Sequence, residues 1–111
     1  LSYGKTSVML TGDSVSKTEK IVLEGNTASS LRSTVLKVGH HGSRTSTSAP
    51  FVQAVAPAYA LISNGKDNNY GHPHPDTLST LAQFGARVLR TDLLGTIIFS
   101  CDNMGACEIN K

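Results

Sequence analysis

Tryptophan is absent from these 111 residues, aromatic side chains make up 5%, and there are only two cysteines and two methionines. So few rings give no sign of a surface built to stack on nucleic-acid bases. Ten Lys and Arg against eight Asp and Glu leave a net charge of +2, and the basic residues are scattered. A nucleic-acid footprint made of charge alone needs a concentrated basic stripe. No apolar run approaches the roughly 20 residues that cross a bilayer. The opening Leu1-Ser2-Tyr3-Gly4-Lys5 has no signal-peptide pattern and no initiator Met, so the chain reads as a piece of something longer.

What is present suits one globular domain over residues 1–111. Hydrophobic residues make up 39% and charged residues 16%, and a chain of this size buries about two thirds of its unfolded surface. Cys101 and Cys107 flank a turn-forming stretch with Asn103 and Gly105. Strand ends across such a turn lie within disulfide reach, so a bridge and a pair of free thiols both stay open. Zinc binding by this pair alone is disfavoured, because zinc sites want four ligands and tighter cysteine spacing.

Strand and helix patterns alternate along the chain. Thr6 to Thr11, Thr34 to Val38, Ala58 to Ser63, Arg87 to Thr91, Thr96 to Ser100 and Cys107 to Ile109 read as strands. Ser16 with Glu19 reads as a capping box opening a helix that Gly25 stops. Ser48 and Pro50 start a second helix that Pro57 ends, and Asp76 caps a third that ends at Gly85. Asn26 to Ser33 reads as a loop and Asp92 to Gly95 as a tight turn. Such alternation predicts an α/β layer fold with its chemistry at the carboxyl ends of the strands.

Three polar segments follow directly on predicted strands. Asp13, after Thr11-Gly12, either caps the next helix or serves as a carboxylate ligand able to bridge two cations. His40-His41, between Gly39 and Gly42, is either a solvated surface pair or a source of imidazole ligands. The adjoining Ser43 could donate a hydrogen bond to an anion, as could the Gly42 and Ser43 amides. The third segment, Asn64 to Pro75, is a long polar loop, which inside a small domain is usually functional. It carries Tyr70-Gly71-His72-Pro73-His74-Pro75, whose prolines stiffen an extended run. In such a run His72 and His74 point the same way, either as incidental surface residues or for metal ligation, phosphate contact or proton transfer.

In order and spacing, Leu10-Thr11-Gly12-Asp13, Leu36 to Ser43 (LKVGHHGS), Ile62-Ser63-Asn64-Gly65 with Asn69 to Pro75 (NYGHPHP), and Arg90-Thr91-Asp92 with Gly95 together resemble the C-terminal hydrolase domain of ComEC-type competence proteins. The resemblance covers nearly the whole chain. It implies half of a metallo-β-lactamase αββα sandwich, alternating strands and helices around a mixed sheet. The His-x-Asp/His-x-Asp-His motif of the family's first half is missing here, so the resemblance covers the second half alone. It implies metal ligation by Asp13 and by His40 or His41, with His41 preferred. Asp13, His72 and His74 are then the catalytic residues, and Ser43, His72 and His74 the substrate-phosphate contacts. Two divalent ions, Zn or Mn, are expected in the complete domain, and the fragment by itself is expected to be inactive with none bound.

The same resemblance makes single-stranded DNA the expected substrate, and the N-terminal half of the domain and a membrane channel the expected partners. It implies an extracytoplasmic or membrane-attached location. The sheet face left bare by the missing half is expected to promote self-association. Two other readings fit the residues: a metal-dependent esterase or phosphodiesterase acting on a small molecule or cell-wall polymer, and a non-catalytic domain that binds DNA or a partner.

Overall fold

In the computed structural model, which describes residues 1–110, the chain begins with a short antiparallel ribbon, β1 (Ser2–Tyr3) and β2 (Thr6–Leu10). Helices α1 (Ser16–Gly25) and α2 (Ala28–Leu31) lead to β3 (Val35–Lys37). A 3₁₀ segment (Gly39–Gly42) and α3 (Ala49–Val55) lead to β4 (Tyr59–Ile62), and α4 (Pro75–Gln83) leads to β5 (Arg87–Arg90). A short α5 (Thr91–Leu94) precedes a hairpin of β6 (Ile98–Cys101) and β7 (Cys107–Asn110). The expected mixed α/β architecture is therefore present.

The main sheet runs β1-β2-β3-β4-β5 in chain order, antiparallel at its first pair and parallel thereafter. Parallel strands joined in sequence by right-handed crossovers put every connecting helix on the same face. The burial pattern agrees. Leu36, Val38, Ala60 and Ile62 share one face of the sheet and form the core with Phe51, Val52, Val55 and Leu81 of the helices. Each fully buried aliphatic side chain contributes about 1.5–3 kcal/mol relative to exposure. The Cα radius of gyration is 13.3 Å, close to the ~13 Å of a compact chain of this length.

The opposite face carries the β6–β7 hairpin. Tyr59 meets Phe99 edge-on at 4.9 Å, Tyr59 Oη donates to the Cys107 carbonyl at 3.5 Å, and Thr6 Oγ1 donates to the Asp102 carbonyl. Cys101 and Cys107 are disulfide-bonded, which resolves the alternative left by their spacing. Beyond the hairpin this face is partly bare, with Leu10 61% exposed.

Several local expectations are corrected. The Asn26–Ser33 stretch contains α2, and in the Asp92–Gly95 turn Asp92 to Leu94 belong to α5, with Gly95 at its C-cap. The third helix is capped by His74, whose Nδ1 accepts from Asp76 N–H at 3.1 Å, with Pro75 at the first turn. The second ends at Val55, with Ala56 left-handed, before Pro57 is reached. The Ser16–Glu19 capping box does not form: Val15 occupies the cap position without a side-chain bond. Glu19 is instead 1% exposed, and its carboxylate accepts from Thr47 N–H at 2.6 Å and Ser48 N–H at 2.9 Å. A capping glutamate turns back on its own helix, but this one crosses to the start of α3, where a negative charge suits the free amides of a helix end.

Candidate functional site

Each polar segment leaves the carboxyl end of a parallel strand, and backbone hydrogen bonds then stitch the segments together. His40 N–H donates to the Gly12 carbonyl at 2.9 Å, joining the turn after β2 to the turn after β3. His74 N–H donates to the Gly42 carbonyl at 2.8 Å, joining the turn after β3 to the loop after β4. Gly42 has φ +83°, and a Cβ there would stand 2.6 Å from Pro73 Cβ. Only glycine lets these loops approach so closely.

His40 and His41 both take left-handed backbone angles, φ 51° and 54°. Such a conformation costs roughly 1–2 kcal/mol per non-glycine residue and persists where surrounding contacts impose it. Here His40 is held by its bond to Gly12 and by Ser43 N–H donating to its carbonyl. Its Nδ1 lies 3.3 Å from Thr45 Oγ1, and His41 Nδ1 lies 2.6 Å from the Ser63 carbonyl.

The histidines gather around His72. Its ring centroid lies 6.1 Å from that of His40 and 5.8 Å from that of Tyr70, stacked on the latter at 28°. Burial lowers the His72 pKa from its ordinary 6.5, and the positive charges of His40, His41 and His74 lower it further. His72 is therefore chiefly neutral at pH 7. His72 thus lies within electrostatic reach of His40, His41 and His74, beside a cleft of about 310 Å³ that His41, Ser63, Asn64, Asn68, Tyr70 and His72 line together with Gly65.

Hydrogen bonding differentiates the rings. A carbonyl only accepts, so His41 Nδ1 carries the proton, and the Nε2 of the neutral ring keeps its lone pair. An outer hydrogen bond of this kind orients metal-ligating imidazoles. His74 is the reverse: its Nδ1 accepts from Asp76 N–H, so Nε2 of the neutral ring carries the proton and acts as a donor. His40 bonds a hydroxyl, which permits either tautomer.

Asp13 lies in the exposed turn after β2, one residue beyond the Gly12 carbonyl that holds His40, and among the described residues its carboxylate has no partner. It does not cap α1. Ser43, expected to meet phosphate, is 6% exposed. Its N–H goes to His40, its hydroxyl lies 2.9 Å from Thr45 Oγ1, and its carbonyl accepts from Thr77 Oγ1 at 3.1 Å. Ser43 thus holds the loop together, with no donor turned to the cleft.

Asn68 was missed by the sequence reading. Its Oδ1 accepts from Tyr70 N–H at 3.1 Å and His72 N–H at 3.0 Å, while Nδ2 donates to the Gly65 and His72 carbonyls at 3.1 and 2.6 Å. A single amide thereby fixes the loop that presents Tyr70 and His72. Thr91 braces the other end, with Oγ1 accepting from Asn64 N–H and donating to the Asn64 carbonyl, both at 2.9 Å. Flanking Thr91, Arg90 grips Asp92 through two bonds of 3.0 and 2.6 Å, which raises the arginine pKa and lowers that of the carboxyl.

A divalent ion fits this site in kind but not in number. His41 Nε2 and the free Asp13 carboxylate are suitable nitrogen and oxygen donors. Yet among the described residues no three His, Cys, Asp or Glu side chains are grouped to hold an ion, and catalytic zinc sites usually have three protein ligands.

Comparison with known proteins gives a consistent set of relatives. The chain is 45% identical over 103 residues to ComE operon protein 3 of Bacillus subtilis (strain 168), covering 93% of the chain. It is 39% identical over 102 residues to Competence protein ComA of Neisseria gonorrhoeae, covering 92%. It is 39% identical over 94 residues to Recombination protein 2 of Haemophilus influenzae, covering 85%. These matches span only 13%, 15% and 11% of the respective relatives, so the chain is homologous to a small segment of each. No family model and no solved structure matches the chain.

Proposed function

We propose that this chain is the second half of a metallo-β-lactamase-type phosphodiesterase domain that cleaves single-stranded DNA during uptake. The relatives named for competence support the role in DNA uptake. The hydrolytic reading is supported by one observation: backbone bonds tie together the three loops at the carboxyl ends of parallel strands, with His40, His41 and His74 within electrostatic reach of His72 and Asp13 on the turn bonded to His40. Asp13 and His41 would hold part of a site for two divalent ions, Zn or Mn, completed by ligands from the other half. Such ions supply an activated water and offset phosphoryl charge.

The chain's own residues then have separable tasks. His41, oriented by the Ser63 carbonyl, offers Nε2 as a donor atom. His74, held by the Asp76 amide, offers its Nε2–H as a hydrogen-bond donor to a phosphoryl oxygen. His72 has its pKa lowered by burial and by the neighbouring His40, His41 and His74. Ser43 has a scaffolding role in this scheme. The partly bare sheet face with Leu10 is where the first half would pack, and without it the fragment is expected to self-associate. The Cys101–Cys107 bridge supports an oxidising, extracytoplasmic location, with the membrane channel of the parent protein as neighbour.

The test compares this chain with a longer version carrying the rest of the domain, each supplied with Zn²⁺ or Mn²⁺ and a labelled single strand. The longer version is expected to cleave DNA, Asp13→Ala to abolish cleavage, and the 111-residue chain to be inactive. Hydrolysis of a simple phosphodiester without DNA cleavage would move the assignment to a small-molecule or polymer substrate. The shortage of ligands within the chain also favours a second reading, a non-catalytic DNA- or partner-binding module. Unchanged DNA binding by Asp13→Ala, with no metal uptake in calorimetry, would select that reading.

A further inference from the structure

We infer that the cleft beside His72 is a slot for a nucleobase of a single strand, with Tyr70 as its stacking platform. This rests on the DNA-directed reading above and specifies what the site holds besides phosphate. Tyr70 is 81% exposed and lies on the cleft rim. A large aromatic ring left so bare is ordinarily tolerated on a mobile tip, but here the loop is braced: Asn68 Oδ1 accepts from the Tyr70 and His72 amides.

The ring already stacks on His72, 5.8 Å away at 28°. A base laid on the bare face of Tyr70 extends that stack, and base–aromatic stacking tolerates any base because each has a π face. Gly65, another lining residue, has nothing within 4 Å of a hypothetical Cβ, so this wall presents flat backbone rather than a side chain. Among the described residues no carboxylate lines the cleft. A volume of about 310 Å³ suits a nucleobase with its sugar.

The experiment is an aromatic-region NMR titration of this chain with deoxyadenosine monophosphate and, in parallel, with deoxyribose 5-phosphate, which lacks the base. The nucleotide should shift the Tyr70 and His72 ring protons upfield and saturably, whereas the sugar phosphate should leave Tyr70 unmoved. Tyr70→Ala should weaken nucleotide binding about tenfold, the effect of ~1.4 kcal/mol of lost stacking, and Tyr70→Phe should retain it. A single-stranded oligonucleotide should give the same shifts, and its duplex, whose bases are already stacked, should not. Equal binding of the sugar phosphate, equal shifts from the duplex, or no loss in Tyr70→Ala would overturn the slot. Because no metal or cleavage enters this readout, the slot can fail while the hydrolase reading stands, and the reverse holds too.

Discussion

At the carboxyl ends of β2, β3 and β4 the loops are fixed by buried or half-buried polar groups, whereas on the far face of the sheet the β6–β7 hairpin is fixed by a disulfide, one aromatic contact and a few bonds at its turn. Glu19 and Thr91 satisfy backbone groups of segments distant from themselves, and Asn68 satisfies those of its own loop. Hydrogen bonds impose direction, and a site that must aim several imidazoles at one place needs direction. A covalent bridge closes the hairpin without specifying where any ring points. The site end is thus expected to respond to single polar substitutions, and the hairpin end to reduction, with little crosstalk.

The largest effect should come from Glu19→Ala. It leaves the Thr47 and Ser48 amides at a buried position without an acceptor, a loss of about 2–4 kcal/mol. Urea denaturation checks this, and an unchanged midpoint would mean that Glu19 is not the clamp described here. Next, reducing the Cys101–Cys107 bridge should cost about 2 kcal/mol, given its six-residue separation. The histidine resonances should stay in place on reduction. If they move, the two regions are coupled and the contrast fails.

A smaller stability loss, about 1 kcal/mol, is expected for Asn68→Ala, because the loop remains open to water. Its signature should be local. Amide exchange at Tyr70 and His72 should quicken by an order of magnitude or more while the strands keep their protection. Uniform quickening across the domain would mean a general loss of stability instead. The smallest effect is that of pH. The folded-state pKa of His72 is lowered, so the unfolded chain takes up its proton more readily. The contribution of His72 is present above the unfolded value near 6.5 and is lost as pH falls through the folded value. A modest drop in melting temperature from pH 7 to pH 5.5 should therefore shrink in His72→Asn.

The main strands and the three site-bearing loops were legible because period-2 and continuous apolar patterns, glycines and prolines report backbone geometry locally. Glu19 was misread because a capping box and a long-range clamp look alike in sequence: both need only an acid near a helix start. The carboxylate's partners lie 28 and 29 residues away, and tertiary context alone identifies them. Asn68 was passed over because one more asparagine in a polar loop carries no periodic signal. Ser43 was placed at the phosphate on its motif, yet its position in the loop turns its groups inward. Low aromatic content argued against base stacking, but a stacking slot depends on where one ring stands, and Tyr70 stands bare at a cleft.

The central claim is that His40, His41 and His74 gather around His72 where two loops meet. A pH titration of the histidine ring signals by ¹H–¹⁵N NMR, in the parent chain and in His40→Asn, tests it most directly. His72 should titrate below 6.5 and move upward when the His40 ring is removed, with His41 Nδ1 protonated in both. A His72 that titrates at its ordinary value and ignores the loss of His40 would place these rings apart and contradict the account.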